Sequence, residues 1–447
     1  MTSTAPQIPI EDIVGPAAEA AAQRARESGR PVLASVGIPV QAADPLSLIR
    51  GASPAMAGWW SRPGLVAAGT DVAFSLHTDG PARVVELADR LSRWFADAVI
   101  IGREPLAFAG CAFADAEPTG AWAGFPTATA WVPEVCAILD DDGSWLVAAT
   151  PVLAGEAEAA TEYLASSLTY AAHTLPSAGI VPQAAGIEPA GDFTPDDDAW
   201  TSAVADALTR IGASELTKVV LARRLRLPAG GDAWDTAVRL ALSYPECFGY
   251  GISFGEATFI GASPELLIER RGSSVRSAPA AGTIAREATT GLGSEKERIE
   301  QGLVVEAVVD SLRPLCDELE AGAPRITAAG PVQHLSSEVT GRLTQPRHIL
   351  ELVAAVHPTP AVAGIPQPEA LSFLRSAEGF DRGWYAGPVG IVTPDGDGEF
   401  ALALRGALFH ADGTDLYAGA GIVNGSEPDG ERGEIALKLR AAAAALG

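Results

Sequence analysis

Two spacings of hydrophobic positions alternate along the second half of the chain. Residues 199–211 place apolar side chains at helical spacing after polar start signals at 194–198, which predicts a helix. Residues 216–227 (LTKVVLARRLRL) contain β-branched residues and end at Pro-Ala-Gly-Gly, which predicts a strand. Residues 294–312 predict another helix, whose buried stripe carries Val304, Ala307, Val308 and Ser311.

The first half of the chain has short apolar stretches between Gly and Pro residues, for example residues 72–76 and 135–139. Residues 393–400 (TPDGDGEF) separate two further apolar stretches, which predicts a hairpin. Hairpin strands mixed with long helices predict an α+β architecture with mostly antiparallel sheet. Residues 182–198, rich in Pro, Gly and Asp, fit a connection between two halves.

Composition narrows the class of protein. The 447 residues are 47% hydrophobic, which is too apolar for a disordered chain and allows a large core. No apolar run reaches the roughly 18 residues of a membrane span, and the first residues lack a basic region followed by an apolar run, so we expect a cytoplasmic protein that makes no membrane contact. The net charge is −25 without a basic cluster, so we expect no nucleic-acid partner.

The cysteines and lysines add two further observations. The four cysteines form no Cys-x-x-Cys pair, which argues against a disulfide framework or a zinc ribbon and favours buried thiols. Lysine occurs only at Lys218, Lys296 and Lys438, whereas Arg supplies the other basic residues. Lysine differs from Arg in being able to lose its proton when desolvated. Lys218 shares a strand face with apolar side chains, and the strand pattern alone favours a place at the sheet rim.

Carboxylates stand at three suggestive places. Glu265, in GASPELLIER, follows one strand and opens another, a usable position for a general acid. Glu297 and Glu300 share a helix face that continues into the buried stripe. Glu431, Glu434 and Lys438 share a face of the last helix, where a surface pair of Glu434 with Lys438 is the simplest interpretation. Two such pairs of carboxylates could hold Mg²⁺, which prefers oxygen ligands.

Three other polar residues lie among apolar neighbours. His334 (VQHLSSEV) is by itself more often a structural histidine than a catalyst. Tyr385 stands in WYAGPVG. Arg405 (ALALRGALF) interrupts an apolar strand pattern, where a guanidinium needs a carboxylate from the protein or from a substrate.

These segments occur together in a known order. The chain carries LTKVVLAR, FIGASPELL, PAAGT, KERIEQ, VQHLSSEVTGRL, HPTPAVAGIP, YAGPVG, ALALR and AGAGIVNGSEPDGERGE. In this order they resemble the chorismate-binding enzymes, and the isochorismate synthases among them, from Phe193 to the C-terminus. The resemblance implies one large α+β unit of two packed, mostly antiparallel sheets with helices outside. Residues 1–190 would form its variable N-terminal half and residues 191–447 its catalytic core, intertwined as one domain.

The resemblance also implies roles for individual residues. Lys218 matches the residue that activates water for addition at C2 of chorismate, Glu265 matches the acid that protonates the departing C4 hydroxyl, and His334 belongs with them as a catalytic residue. Glu300 and Glu434 match direct Mg²⁺ ligands, with Glu297 and Glu431 acting through water. The substrate would be bound by Gly282, Thr283, Ala361, Tyr385, Arg405, Gly419, Gly421 and Lys438.

Small differences select among the reactions of this family. Members that use ammonia to make anthranilate lack a lysine at position 218 and need a glutaminase partner, and aminodeoxychorismate synthases often have a lysine where this chain has Ala281. Salicylate synthases, which also eliminate pyruvate, usually have Thr at the position of Ala361. We therefore expect a monomeric, Mg²⁺-dependent isochorismate synthase of menaquinone or siderophore biosynthesis that needs no glutaminase. The alternatives are a salicylate synthase and a catalytically silent chorismate-binding subunit.

Overall fold

The computed structural model describes residues 9–41, 44–50, 56–175, 187, 189–285, 295–329 and 332–446. Its α-helices are α1 (Ile10–Ser28), α2 (Arg83–Ala96), α3 (Ala157–Thr174), α4 (Asp197–Gly212), α5 (Ala233–Ser243), α6 (Glu295–Leu312), α7 (Ile349–Val356), α8 (Gln367–Ala377) and α9 (Pro428–Ala443). Short 3-10 turns cover Pro45–Leu48 and Gly120–Trp122.

The strands of the first half are β1 (Val32–Pro39), β2 (Met56–Arg62), β3 (Leu65–Thr70), β4 (Phe74–Thr78), β5 (Val99–Ile101), β6 (Ala107–Cys111), β7 (Ala128–Val132), β8 (Val135–Asp140) and β9 (Gly143–Val152). Those of the second half begin with β10 (Asp192–Thr194), β11 (Lys218–Leu227), β12 (Phe248–Phe254), β13 (Ala257–Ser263), β14 (Leu266–Arg271), β15 (Ser274–Ala278), β16 (Ala280–Ala285) and β17 (Cys316–Ala321). They continue with β18 (Arg325–Ala329), β19 (Val332–Ser336), β20 (Val339–Leu343), β21 (Gly364–Ile365), β22 (Pro388–Val392), β23 (Gly398–Leu402), β24 (Gly406–His410) and β25 (Gly413–Ile422).

Two large sheets and one small one organise these strands. Sheet 1 has the order β10-β11-β25-β24-β13-β12-β2-β3-β8-β9-β1-β5, with β21 also paired to β11. Sheet 2 has the order β17-β20-β15-β14-β23-β22-β6-β7-β4, and sheet 3 the order β16-β19-β18. Among the described strands every pairing is antiparallel except that of β1 with β5. The predicted α+β class with mostly antiparallel sheets is confirmed, and sheet 3 is an addition that the sequence did not indicate.

Both halves of the chain contribute strands to both large sheets, each half as one continuous block, and the blocks meet at a single pairing in each sheet. In sheet 1, β2 pairs with β12, and in sheet 2, β6 pairs with β22. The two sheets approach closely because Gly58 of β2 has no side chain: a Cβ there would lie 2.7 Å from the ring of Phe108 on β6. Trp131 of sheet 2 also meets Phe254 of sheet 1, with ring centroids 5.7 Å apart. Burial of such aromatic rings is a main source of core stability.

Helices cover the outer faces. Helices α1 and α3 pack on sheet 1 through a cluster of buried Ala, Val and Leu side chains. Helices α2 and α7 pack together on sheet 2. No helix in the ranges given above is both long and apolar enough to cross a membrane. The four cysteines are buried, as expected.

The elements predicted from periodicity form at their expected places. Helix α4 begins after Asp196, whose side chain accepts a hydrogen bond from the backbone N–H of Ala199 as an N-cap. Strand β11, helix α6 and the β22–β23 hairpin are likewise confirmed. In the predicted connection at 182–198, residues 182–186 and 188 lie outside the described residues.

One expectation about a strand is wrong. The apolar run ending in ALALRGALF does not continue through Arg405, because β23 ends at Leu402 in sheet 2 and β24 begins at Gly406 in sheet 1. Arg405 lies in the connection, with a φ of 52° in the left-handed region. The chain passes here from one large sheet to the other, and this connection separates the two strands.

Candidate active site

A cavity with about 770 Å³ of empty space, counting the part that opens to solvent, lies beside the first residues of β11. Helices α6 and α9, strand β25 and two of the connections between the large sheets, β13–β14 and β23–β24, also contribute to its wall. The structure brings most of the predicted site residues to this cavity: Lys218, Glu265, Gly282, Glu300, His334, Ala361, Tyr385, Arg405, Gly419, Gly421, Glu434 and Lys438.

Lys218 is buried, so the expectation that it lies at the sheet rim is wrong. Its side chain is 1% exposed, because β21 pairs with the start of β11 and Glu300 of α6 faces it. The distance from Lys218 Nζ to Glu300 Oε1 is 2.8 Å. A buried ammonium requires such a partner. The lysine therefore stands inside the cavity as part of an ion pair.

Glu265 occupies a connection between the large sheets, from β13 in sheet 1 to β14 in sheet 2. It is 4% exposed, and burial raises the pKa of its carboxyl to about 8. A backbone hydrogen bond at Ala280 and the charges of Lys218 and Lys438 oppose this pKa shift but are outweighed by desolvation. At neutral pH Glu265 is consequently a protonated acid.

Arg405, His334 and Gly282 form a chain of hydrogen bonds. Arg405 Nη2 bonds to His334 Nε2, and His334 Nδ1 lies 2.8 Å from the carbonyl oxygen of Gly282. Because a guanidinium can only donate, Nε2 must accept and Nδ1 must carry the proton. Burial, followed by the charges of Arg405 and Lys438, lowers the pKa of His334 well below its usual range, so the ring is neutral. The histidine thus links Arg405 to the PAAGT segment, while its catalytic role stays a prediction.

Lys438 and Tyr385 line the same cavity near β25. Lys438 Nζ lies 2.7 Å from Glu434 Oε1 and donates to the carbonyl oxygen of Gly419 at 2.8 Å. The simple helix pair proposed from the sequence is therefore present, but in the cavity wall rather than on an open surface. Tyr385 is 4% exposed and stacks on Tyr417, with ring centroids 5.2 Å apart.

The predicted metal-binding carboxylates divide into two kinds. Glu300 and Glu434 line the cavity, and each faces a lysine. Glu431 is 7% exposed on α9, and Glu297 lies close to Gly282, where an added Cβ would be 3.3 Å from Glu297 Cγ. Within the described part of the chain, no three His, Cys, Asp or Glu side chains are grouped as a metal site. The donors are all carboxylate oxygens, which suits a hard divalent cation.

Other site residues lie outside the prediction or outside the described structure. The backbone of Thr283 belongs to β16, but its side chain lies outside the described part of the structure. Tyr417 and Arg382 line the cavity but were not anticipated. Strand periodicity could have found Tyr417, which shares a face with Gly419 and Gly421. Nothing in the local sequence distinguishes Arg382 from a surface arginine.

Gly421 permits the close approach of the Lys218–Glu300 pair. A Cβ at this position would lie 2.7 Å from Glu300 Oε1 and 3.3 Å from Lys218 Cε. We expect Gly421→Ala to lower the rate of catalysis in this cavity by about 10- to 100-fold, because displacement of reacting groups by about 1 Å has effects of that size. Gly302→Ala on α6 is the matched control, since its Cβ would meet open space. Equal steady-state rates for the two variants would contradict this packing.

Comparison with known proteins agrees with the motifs. The model of the chorismate binding enzyme family matches residues 19–447. The chain belongs to this family. It is 34% identical to the salicylate biosynthesis isochorismate synthase of Pseudomonas aeruginosa over 96% of this chain and 93% of the relative. It is 31% identical to the isochorismate synthase MenF of Bacillus subtilis over 96% of each chain.

A solved structure of the family has the same fold. The menaquinone-specific isochorismate synthase MenF of Escherichia coli matches with a TM-score of 0.77 and 24% identity, covering 96% of this chain and 99% of that one. The family match therefore includes nearly all of the N-terminal half, which the motifs alone did not cover.

Proposed function

We propose that the protein is an isochorismate synthase that adds water at C2 of chorismate and expels the C4 hydroxyl. The observation that carries this proposal is that a buried lysine, Lys218, and a buried, protonated carboxylic acid, Glu265, line the same cavity. A lysine and a carboxylic acid that line one cavity can supply the base and the acid that such a reaction needs. The names of the relatives at 31% and 34% identity support the same reaction.

The proposed step conserves atoms and charge. Lys218, once neutral, accepts a proton from water as the water oxygen bonds to C2. The two ring double bonds shift, the C4–oxygen bond breaks, and the departing hydroxyl takes the proton of Glu265 and leaves as water.

Positive groups in the cavity suit a substrate with two carboxylates. Arg405 is 7% exposed and hydrogen-bonds to His334, whose neutral ring does not cancel the charge of the guanidinium. Tyr385 can donate a hydrogen bond because burial raises the pKa of its hydroxyl above the usual range. A guanidinium binds a carboxylate by paired hydrogen bonds, which would fix the orientation of the ring.

We propose Mg²⁺ as the cofactor, held directly by Glu300 and Glu434, with Glu297 and Glu431 acting through water. Bound there, the ion would anchor the C1 carboxylate and offset its repulsion from the glutamates. The support is the all-oxygen donor set and the position of Glu300 and Glu434 in one cavity wall. Each of these glutamates now faces a lysine and would exchange that contact on binding the ion.

We expect Glu434→Gln to raise the Mg²⁺ concentration required for half-maximal activity by at least tenfold, because it removes one anionic ligand. Calorimetric titration with Mg²⁺ in the absence of substrate gives a second readout. Asp206→Asn is the matched control, because Asp206 pairs with Arg210 on an exposed helix face away from the cavity. An unchanged Mg²⁺ dependence of the Glu434→Gln variant would contradict the assignment of α9 to the metal site.

Isotope labelling tests the water-addition step. With chorismate in water enriched in ¹⁸O, we expect each isochorismate molecule to carry one ¹⁸O atom, detected by mass spectrometry. Product without label would contradict water as the nucleophile. We propose water rather than ammonia, and hence no glutaminase partner. Isochorismate could supply either menaquinone or salicylate biosynthesis, the two uses that the names of the relatives indicate.

A further inference from the structure

A buried ion pair joins the end of α8 to the wall of the cavity. Glu378 is 3% exposed and Arg382 is 4% exposed, and Arg382 Nε donates to Glu378 Oε2 at 2.8 Å. Arg382 Nη2 makes a second hydrogen bond to Glu378 Oε1. Neither residue has a role in the steps proposed above. An ion pair buried to this degree is weak evidence for stability, because desolvation offsets the attraction of the charges.

The pair fills a gap at the edge of sheet 1. Strand β11 pairs with β25 along Val219–Leu227, but on its other side β21 covers only Lys218 and Val219, and β10 covers only residues 224–226. Between these two partners, the carbonyl oxygen of Val220 accepts from Arg382 Nη2 at 2.7 Å. The backbone N–H of Ala222 donates to Glu378 Oε1 at 2.8 Å. The two side chains therefore take the place of a neighbouring strand.

The same guanidinium reaches a second part of the cavity wall. Arg382 Nη1 donates to the carbonyl oxygen of Val362 at 2.8 Å. Val220 follows Lys218 by two residues, Val362 follows Ala361 directly, and both valines line the cavity. The guanidinium also lies over the ring of Phe113, with Cζ 4.3 Å from the ring centroid. One planar group thus fixes the distance between the Lys218 strand and the Ala361 segment.

We propose that Glu378 and Arg382 are positioning residues for water addition, an inference that rests on the proposed function. Arg382 sets where Lys218 stands relative to the substrate ring, and Glu378 holds the guanidinium in the plane that reaches both carbonyl groups. Arg405, an expected carboxylate-binding group, hydrogen-bonds to His334 rather than to this pair, whereas the Arg382 guanidinium lies 5.9 Å from the centroid of the Tyr385 ring. Loss of the pair should consequently impair the chemical step more than the binding of chorismate.

Two variants test the geometry of the Glu378–Arg382 pair separately from its charge. Arg382→Lys keeps the charge, but a single ammonium cannot reproduce the planar fork to two carbonyl groups and a carboxylate. Glu378→Gln is isosteric and keeps an acceptor for the N–H of Ala222. We expect kcat per folded protein to fall about 30-fold or more in Arg382→Lys and about 5- to 10-fold in Glu378→Gln. In both, we expect KM for chorismate to stay within about threefold.

The control is a buried carboxylate of sheet 2 that does not line the cavity. Glu399 is 2% exposed, accepts from Trp60 Nε1 at 2.6 Å and pairs with Arg62. Glu399→Gln should lower the melting temperature without lowering kcat per folded protein. If the Glu378 and Arg382 variants behave in the same way, with kcat within twofold of the unmodified protein, the pair is only structural and the inference is wrong. If the unmodified protein converts no chorismate, the proposed function itself fails, and the inference fails with it.

Discussion

Replacement of Lys218 by methionine should lower kcat on the order of a thousandfold, while leaving the fold and Mg²⁺ binding largely intact. Methionine has nearly the length of lysine, so the apolar face of β11 remains filled, but the side chain can no longer accept a proton from water. General acid and base catalysis contributes about 10² to 10⁴ in rate, which sets the size of the effect. Steady-state kinetics with chorismate, normalised to folded protein, measures it.

A second variant controls for the electrostatic side effect of this change. Lys218 faces Glu300 at 2.8 Å, so its removal leaves a carboxylate near the cavity without that ammonium. The double variant Lys218→Met/Glu300→Gln removes both charges, and we expect its melting temperature to return toward that of the unmodified protein without recovery of activity. A Lys218→Met enzyme with kcat within tenfold of normal would end the assignment of Lys218 as the base.

Glu265→Gln should lower kcat by a factor of about 10² to 10⁴, because the amide cannot give a proton to the departing hydroxyl. The unmodified enzyme should also lose activity with rising pH, with an apparent pKa near 8, as the buried carboxyl ionises and stops acting as an acid. A pH profile of kcat for the unmodified protein, together with steady-state rates for the variant, measures both effects. A profile that stays flat from pH 7 to pH 10 would contradict the acid role of Glu265.

The same pKa shift makes a separate prediction for stability. The pKa of a glutamate in the unfolded chain is about 4.3, and that of Glu265 in the folded chain is about 8. The folded state therefore binds the proton of Glu265 more tightly than the unfolded state does. The resulting stabilisation of the fold is complete below pH 4.3 and is lost as the pH rises through 8. The total change is on the order of 5 kcal/mol. The Glu265→Gln variant lacks this dependence. We therefore expect the difference between its free energy of unfolding and that of the unmodified protein to shift in favour of the variant between pH 5 and pH 9.

Local sequence patterns predicted the elements that carry the site, but not how the sheets cover it. The β-branched run at 216–227 and the helical stripe at 294–312 were sufficient for β11 and α6. Burial of Lys218 depends on β21 and α6, which are far from it in sequence, so the strand alone favoured the rim. The motif order identified the family because it combines many positions that no single period describes.

The two connections that carry Glu265 and Arg405 were not predictable from periodicity. An apolar run indicates a strand but not the sheet that the strand joins. The chain crosses between the sheets just before β14 and just before β24, and these crossings hold Glu265 and Arg405 at the cavity. The backbone N–H of Leu402 donates to the carbonyl oxygen of Glu265 at 3.2 Å, which ties the two connections together. Glu378 and Arg382 escaped notice because an ion pair at i and i+4 is typical of a helix surface.

The most direct test of the proposed function is to incubate the purified protein with chorismate and Mg²⁺, without ammonia, and to follow the products by chromatography over time. The roles assigned to Lys218, Glu265 and Ala361 predict isochorismate as the accumulating product. Salicylate with pyruvate would contradict release at isochorismate and the significance given to Ala361. Bound but unconverted chorismate would contradict the enzymatic function and indicate a silent binding subunit.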